Sequence, residues 1–586
     1  MDNVYGESDI AELFAKKFKS VFNCVNYDSS QMEELYNKCG AKISQKCIND
    51  VEKCLISDED VSSICIKRLK CGKSDGLTGV FSDHFSHGTK MLFSMLKSLI
   101  NMIIIHGVST YNMLTGTVIP ISKNKRINVN SSDNFRGICL QSIVCKIVDI
   151  FILDKESIHL GSSNLQFGFK AGHSTDLAAS IVSETIDYFV NNGGHVYMLA
   201  LDASKAFDRV DFCKLFDILL ARECDPLYVR MLINMYVKQN MRVNFNGNYS
   251  DNFGVTNGVK QGGVLSPVLF SCYIDKLLRK LSEQNFGCRI GDYYTGCIGY
   301  ADDVVLLAPT ISALKGQIEI AEEVAVEHSI KFNGSKSQLI CFGVNGCNYS
   351  RSINITLGGE HIKKCNSVVY LGHHISSDRN DSLTEHIKHD FTCKLNSVMA
   401  DFSDISSHVK HSLVEKYCLS LYGINFCDFA NVDKMDSIFK VWRKSVRRIW
   451  GLPPRAHSRF LPFIYDGLPL RLQIMKHFLG FYQTGLKSKN PVVSFIFNNA
   501  IYSYSRLGRN LKYLLFSDSN QNRNNIVNFN VETVIAKAKS VWLDGLSDED
   551  MRIVCQLNEL ISMRDGHCGP MRTWECQTLI NFLACV

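Results

Sequence analysis

The spacing of apolar residues along this chain changes rhythm repeatedly, and each change predicts a different kind of element. From residue 1 to about 60, Ile10, Leu13, Phe14, Phe18 and Phe22 recur at helical spacing among charged positions, which predicts a helical lead-in without strands. Residues 61–195 mix helical stretches with Gly and Asn breaks and carry basic residues in loops such as SKNKRIN (122–128), the pattern of a binding lobe. Residues 196–384 open on short apolar strands, VYMLAL and CIGYADDVVLLA, separated by amphipathic helices such as 311–328; this is an α+β unit with an antiparallel hairpin. From 385 to 586 strands vanish and helical patterns run on, broken at Pro453-Pro454. The most apolar long stretch, 91–108, is interrupted by Lys97 and Asn101, so it predicts a buried helix and no membrane span.

Composition narrows the class only slightly. A chain of 586 residues and 66.0 kDa has room for two to four units. With 46% hydrophobic and 21% charged residues it is not a disordered protein. A net charge of +6 permits nucleic-acid binding without demanding it. The 23 cysteines are odd in number and form no Cys-x-x-Cys pair, which predicts a reducing intracellular setting and no zinc ribbon. His567, Cys568 and Cys576 near the C-terminus lack zinc-knuckle spacing, so no zinc is expected there either.

The chemistry concentrates in three segments. In VYMLALDASKAFD (196–208) an apolar strand delivers Asp202 at its end. In CIGYADDVVLL (297–307) two apolar strands flank a turn carrying Asp302 and Asp303 side by side. An isolated Asp pair would be read as a polar turn. Adjacent carboxylates repel one another unless a cation compensates them, and hard oxygen ligands of this type suit Mg²⁺ or Mn²⁺. Between the two segments lies NGVKQGGVLSP (257–267), whose glycines let backbone approach a ligand and whose Ser266-Pro267 suits a helix start. Two metal ions held by such carboxylates would activate an attacking hydroxyl and stabilise a leaving pyrophosphate.

DASKAFD, NGVKQGGVLSP and YADD, in this order, resemble motifs A, B and C of reverse transcriptases, most closely those of non-LTR (LINE-type) retrotransposons. NFRGICLQSIVCKIVD (134–149) and QFGFKAGHSTDLA (166–178) resemble the fingers motifs of that family; SIKFNGSKSQLICFG (329–343) and VVYLGHHIS (368–376) resemble motif D and the primer grip. The resemblance implies a right-hand polymerase: fingers over 61–195, a ferredoxin-like palm with an antiparallel sheet over 196–384, and a helical thumb and C-terminal region over 385–586. It implies an RNA-directed DNA polymerase using two Mg²⁺ or Mn²⁺ ions, an RNA template, a DNA primer and deoxynucleoside triphosphates. Asp202, Asp302, Asp303 and the carbonyl of Ala203 would hold the metals. Phe207 would exclude a ribose 2′-hydroxyl, Gln261 and Gly262 would contact nucleotide and template, Arg136 and Lys125 would hold the triphosphate, and Lys336 would act as general acid. Phe135-Arg136-Gly137-Ile138 departs from the family's usual Tyr-Arg-Pro-Ile, and loss of the proline is expected to loosen that turn.

Downstream, Lys440, Arg443, Lys444, Arg447 and Arg448 share one face of a predicted helix, and no acidic residue occurs from 437 to 465. Such a face suits a nucleic-acid backbone. Only about 60 residues precede the fingers, so the endonuclease of related elements has no room; a truncated or separately encoded copy with a natural C-terminus is expected. A cytoplasmic ribonucleoprotein or the nucleus is the expected place. The competing expectation is a relic of such an element that binds nucleic acid without synthesis.

Overall fold

The computed structural model describes residues 1–2, 4–76, 78–123, 130–284, 286–343, 354–377, 382–515 and 529–547. Lys125, His567, Cys568 and Cys576 lie outside them.

The lead-in is helical and is part of the fingers core. Helix α1 (Glu7–Val21) buries Phe14 and Phe18, and Phe14 meets Phe135 edge to face at 5.1 Å between ring centroids. Aromatic pairs of this geometry add about 0.5–1.5 kcal/mol beyond their burial. Phe135 opens strand β2 (Phe135–Leu140), which pairs antiparallel with β1 (Thr115–Ser122). The departure at Gly137 therefore does not loosen a turn. Gly137 sits within β2 opposite Pro120, and a Cβ there would lie 2.8 Å from Val118 and 3.0 Å from the Phe18 ring, so its bareness makes room for α1. These strands were not legible in the hydrophobic pattern of 61–195.

Helix α2 (Lys90–His106) starts at a Thr89 cap and ends on left-handed Gly107. It corrects the expectation of a buried helix: Phe93, Leu96, Ile100, Ile103 and Ile104 face the core, while Met91 and Met95 are 75% and 61% exposed. Helices α3 (Ile143–Lys155) and α4 (Thr175–Asn191) then lead to β3 (Val196–Leu201). Strand β4 (Asn240–Phe245) returns to pair parallel with β1 rather than with β3.

The second sheet is the one that carries the site. After α5 (Ser266–Glu283) come β5 (Cys297–Tyr300), β6 (Asp303–Ala308), α6 (Ile311–Glu327), β7 (Gln338–Phe342) and the short β8 (Lys363–Lys364). The strand order is β8-β7-β3-β6-β5, antiparallel throughout except β8 against β7. Helices α4, α5 and α6 pack against it, and this cover explains why VYMLAL and DVVLLA are apolar at nearly every position rather than alternating. The fold is α+β, as the sequence predicts. A hairpin of β9 (Ser367–Tyr370) and β10 (His373–Ser376) follows, and Tyr370 Oη donates to the Ile298 carbonyl at 3.4 Å.

No strand follows β10 among the described residues. Helices α7 (Ser382–Asp401), α8 (Val432–Trp450), α9 (Leu470–Leu486) and α10 (Arg506–Leu515) form the principal helical part. No helix of the described residues is long and apolar enough to cross a membrane. The chain is stitched back to the palm where α10 meets α4. Asp187 of α4 accepts from the Arg506 N–H at 2.8 Å, and buried Glu184 lies beside it.

Burial, reinforced by the Asp187 charge, pushes the Glu184 carboxyl up to about 8. The folded state thus holds a proton that the unfolded chain releases at ordinary glutamate pH, so stability should fall as pH rises from about 5 to 8. Glu184→Gln is expected to flatten that dependence. Thermal melts of both proteins from pH 5 to 9 check it, and parallel curves would remove Glu184 as the source.

Candidate active site

Strand β3 ends at Leu201, opposite Val304 of β6, so the next pair in register sets Asp202 across from Asp303. On the other side of β6, Asp303 pairs with Tyr300 of β5, leaving Ala301-Asp302 as a two-residue connection. Ala301 takes a positive φ of 57°, as the first central residue of a tight hairpin turn of the twisted type requires. All three carboxylates are thereby brought to one end of the sheet by strand register, as the sequence expects. Burial raises the Asp302 pKa, with Arg136 opposing and Asp202 adding. Burial pushes Asp303 up to about 6, reinforced by Asp302 and then Asp202. Crowded carboxylates of this kind hold charge only when a cation is near.

The backbone around Asp202 is clamped by the segment resembling motif D. The Asp202 N–H donates to Ser337 Oγ at 3.1 Å, its carbonyl accepts from the Asn333 N–H at 2.9 Å, and the Ser204 N–H donates to the Lys331 carbonyl at 2.8 Å. These bonds flank the Ala203–Phe332 bridge, so the peptide groups of Ala203 point away from that ladder. Its carbonyl is thereby turned away from the bonds of that ladder. Lys336 is exposed on the adjoining turn, where its N–H donates to Asn333 Oδ1 at 3.0 Å.

The glycine loop packs directly on the exit of β3. Gly258 and Val259 donate to the carbonyls of Val210 and Phe207, both at 2.8 Å, and the Gln261 carbonyl accepts from Cys139 of β2 at 2.7 Å. Gly262, with φ 110°, lies where a Cβ would be 2.8 Å from the Cys139 carbonyl oxygen. The loop therefore ties β2 of the first sheet to the chain leaving β3 of the second. The Phe207 ring stacks on Phe270 at 4.5 Å and lies edge-on to exposed Phe169.

Three features here were not singled out from the sequence. Gln261 donates through Nε2 to Asp208 at 2.6 Å, and burial pushes that carboxyl up to about 6 against the bond from Gln261 and the charges of Lys205 and Lys123. Lys123, directly after β1, is exposed, yet its pKa is lowered by desolvation and then by the charges of Lys17 and Arg136; its Nζ donates to the Asp133 carbonyl at 2.8 Å. It stands two residues before Lys125 in the basic tract SKNKRIN. Gln166 is fully buried against the Ala301 turn. Only the tract SKNKRIN gave a signal, and it named the loop rather than the residue.

The basic face of α8 divides. Lys440, Lys444 and Arg448 are exposed, with Lys440 also 2.9 Å from Asp436 and Arg448 donating to Asn396. Arg443 pairs with Asp436 at 2.8 Å, and Arg447 donates to the Ala456 carbonyl and Ser458. Asp436 lies one residue before the acid-free tract.

Among the described residues no three His, Cys, Asp or Glu side chains are gathered closely enough to enclose a metal ion by themselves. The donor chemistry nonetheless fits a divalent cation. Ionised carboxylate oxygens are hard acceptors, burial and neighbouring carboxylates raise the proton affinity of Asp302 and Asp303, and Ala203 directly follows Asp202 in the chain.

A sheet presenting these carboxylates, with a glycine loop bridging it to a second sheet, is the arrangement expected of the palm of a right-hand polymerase. Residues 121–375 match the family model described as reverse transcriptase (RNA-dependent DNA polymerase), and this segment is a reverse transcriptase domain. The chain is 24% identical over 327 residues to the retrovirus-related Pol polyprotein from type-2 retrotransposable element R2DM of Drosophila melanogaster, covering 54% of this chain and 30% of that one. It is 26% identical over 294 residues to the Pol polyprotein from type-1 retrotransposable element R2 of Nasonia vitripennis, covering 50% of this chain and 27% of that one. These alignments span less than a third of either relative. Telomerase from Candida tropicalis in complex with a TWJ fragment of telomeric RNA aligns with 70% of this chain and 68% of that one at 12% identity, but its TM-score of 0.33 carries no argument.

Gly258, with φ 94°, lies where a Cβ would be 2.9 Å from the Asp208 carbonyl oxygen and 3.0 Å from its Cα. Gly258→Ala should cost about 1–3 kcal/mol, because both neighbours are backbone and the conformation is strained for any side chain. Gly480→Ala, mid-helix in α9 with open space around it, should be neutral or stabilising. Chemical denaturation of the two variants checks the contrast, and equal stabilities would overturn it.

Proposed function

We propose that this chain is an RNA-directed DNA polymerase of a non-LTR retrotransposon, adding deoxynucleotides to a primer 3′-hydroxyl. The observation that carries this reading is the strand register that sets Asp202 opposite Asp303 beside Asp302, with the Gln261 loop packed on the same strand exit. Divalent metal dependence goes with the reverse transcriptase family. Asp202, Asp302, Asp303 and the Ala203 carbonyl are the residues that would hold two Mg²⁺ or Mn²⁺ ions. Bound there, the ions would supply charge compensation at the attacking and leaving oxygens.

The chain's own groups supply the rest. Arg136 and Lys123 offer cations to the triphosphate, with Lys125 in the same loop. Phe207, immobilised on Phe270, forms a rigid wall at the sugar, which favours a deoxyribose. Gln261, oriented by Asp208, and Gly262 lie where nucleotide and template would meet. Lys336, exposed next to the backbone clamp on Asp202, would donate a proton to departing pyrophosphate. The exposed cations of α8 would follow the template-primer backbone, while Arg443 and Arg447 hold the helix in its surroundings.

Asp302→Asn should lower Mg²⁺-dependent primer extension on an RNA template by at least about a hundredfold while leaving template-primer affinity within about twofold. Retained extension would sink the metal assignment. Tight RNA binding without extension by the unmodified protein would favour the relic. Replacing Lys440, Lys444 and Arg448 together by Ala should weaken binding for all sequences alike and reduce the slope of log affinity against log salt by about 2–3. An unchanged slope would remove α8 from the interface.

A further inference from the structure

The turn that aims Asp302 is held by a residue far from it in sequence. Residues 165–167 run alongside β5: the Phe167 N–H donates to the Gly299 carbonyl at 2.7 Å, and the Gly299 N–H donates to the Leu165 carbonyl at 2.9 Å. Between these bonds Gln166 is fully buried, and its side-chain amide meets the next turn. The Ala301 N–H donates to Gln166 Oε1 at 2.8 Å, and Gln166 Nε2 donates to the Ala301 carbonyl at 3.3 Å. The Gly168 N–H also donates to Oε1, at 2.9 Å.

We propose that Gln166 is a positioning residue for the catalytic carboxylates, its amide fixing both backbone groups of Ala301 and so the direction in which Asp302 and Asp303 point. This inference rests on the polymerase reading of the site.

Three observations favour it over simple satisfaction of a buried amide. Ala301 holds a left-handed backbone at φ 57°, which costs an alanine about 1–2 kcal/mol and persists only where neighbours fix it. Gln166 supplies the neighbour that does so, because a primary amide offers acceptor and donor side by side, whereas Glu lacks the donor and Met lacks both. The approach is also close: a Cβ on Gly168 would lie 2.4 Å from the Ala301 nitrogen, so the segment and the turn have no slack between them.

The segment itself is anchored. The Ser163 N–H donates at 2.6 Å to fully buried Asp275 of α5, which also receives Arg222 at 2.7 Å. A rotation of the Ala301 peptide would swing Asp302, the residue directly after it, and such a displacement near the reacting atoms costs on the order of a hundredfold in rate.

The test uses the full chain with Gln166→Met, which keeps the volume and removes all three amide bonds, and Gln166→Glu, which keeps the two accepted ones. Gln166→Met should slow single-turnover primer extension by about 10- to 100-fold with template-primer affinity within about twofold. Hydrogen exchange without nucleic acid should speed up in residues 297–307 and stay unchanged in 196–201. Gln166→Glu should recover part of both. Wild-type rate or wild-type exchange at 297–307 in Gln166→Met overturns the proposal, as does faster exchange across the whole sheet with rate and affinity lost together. Should Gln166→Met not fold, Gln166→Glu decides: loosened exchange at 297–307 with a rate loss of about tenfold or less supports the proposal, and wild-type behaviour in both overturns it. An unmodified protein that extends no primer defeats the polymerase reading, while the exchange comparison still decides whether Gln166 fixes the turn.

Discussion

Everything at this site depends on carboxylates being forced together against their own repulsion. Strand register does the forcing, since the pairing of Leu201 with Val304 carries Asp202 across from Asp303 and a slip of one residue would part them. Burial and the neighbouring carboxylates push Asp302 and Asp303 toward the neutral form. An arrangement that unfavourable is retained where charge arrives from elsewhere, and Arg136 from the fingers sheet supplies part of it.

The same constraint explains how the surrounding elements are joined. The loop from Asn257 to Gly263 is bonded to the exit of β3 on one side and to β2 on the other, so the fingers sheet and the carboxylates keep a fixed relation. The segment resembling motif D clamps the backbone of Asp202, and the 163–168 segment clamps the hairpin through Gln166. Each clamp acts on main chain rather than on a carboxylate. The positions of the acidic residues are thereby set from behind.

Much of this was legible because local contacts leave periodic traces. The apolar strands, the Asp-Asp turn, the Ser266-Pro267 helix start and the run of helices after residue 385 follow from patterns a few residues long. The fingers strands did not show, because Thr115–Ser122 and Phe135–Leu140 lack the alternation of a half-exposed strand. The sequence predicts a buried helix at α2 because its composition is mostly apolar, and composition does not say which side faces the core; Met91 and Met95 face outward. Gly137 was taken as a lost proline, although its meaning depends on Phe18, which lies far back in the chain.

The sequence by itself determined the order of the motifs, the element types that carry them and the identity of the three aspartates, because those are properties of contiguous segments. Only the tertiary structure decided that Gln261 answers to Asp208, 53 residues away, and that Ala301 answers to Gln166, 135 residues away. It alone divided the basic face of α8 into exposed cations and internally bonded ones. The physical reason is that a hydrogen bond between distant backbone and a neutral amide, or an ion pair across a fold, needs only one residue at each end and imposes no period on the chain between them.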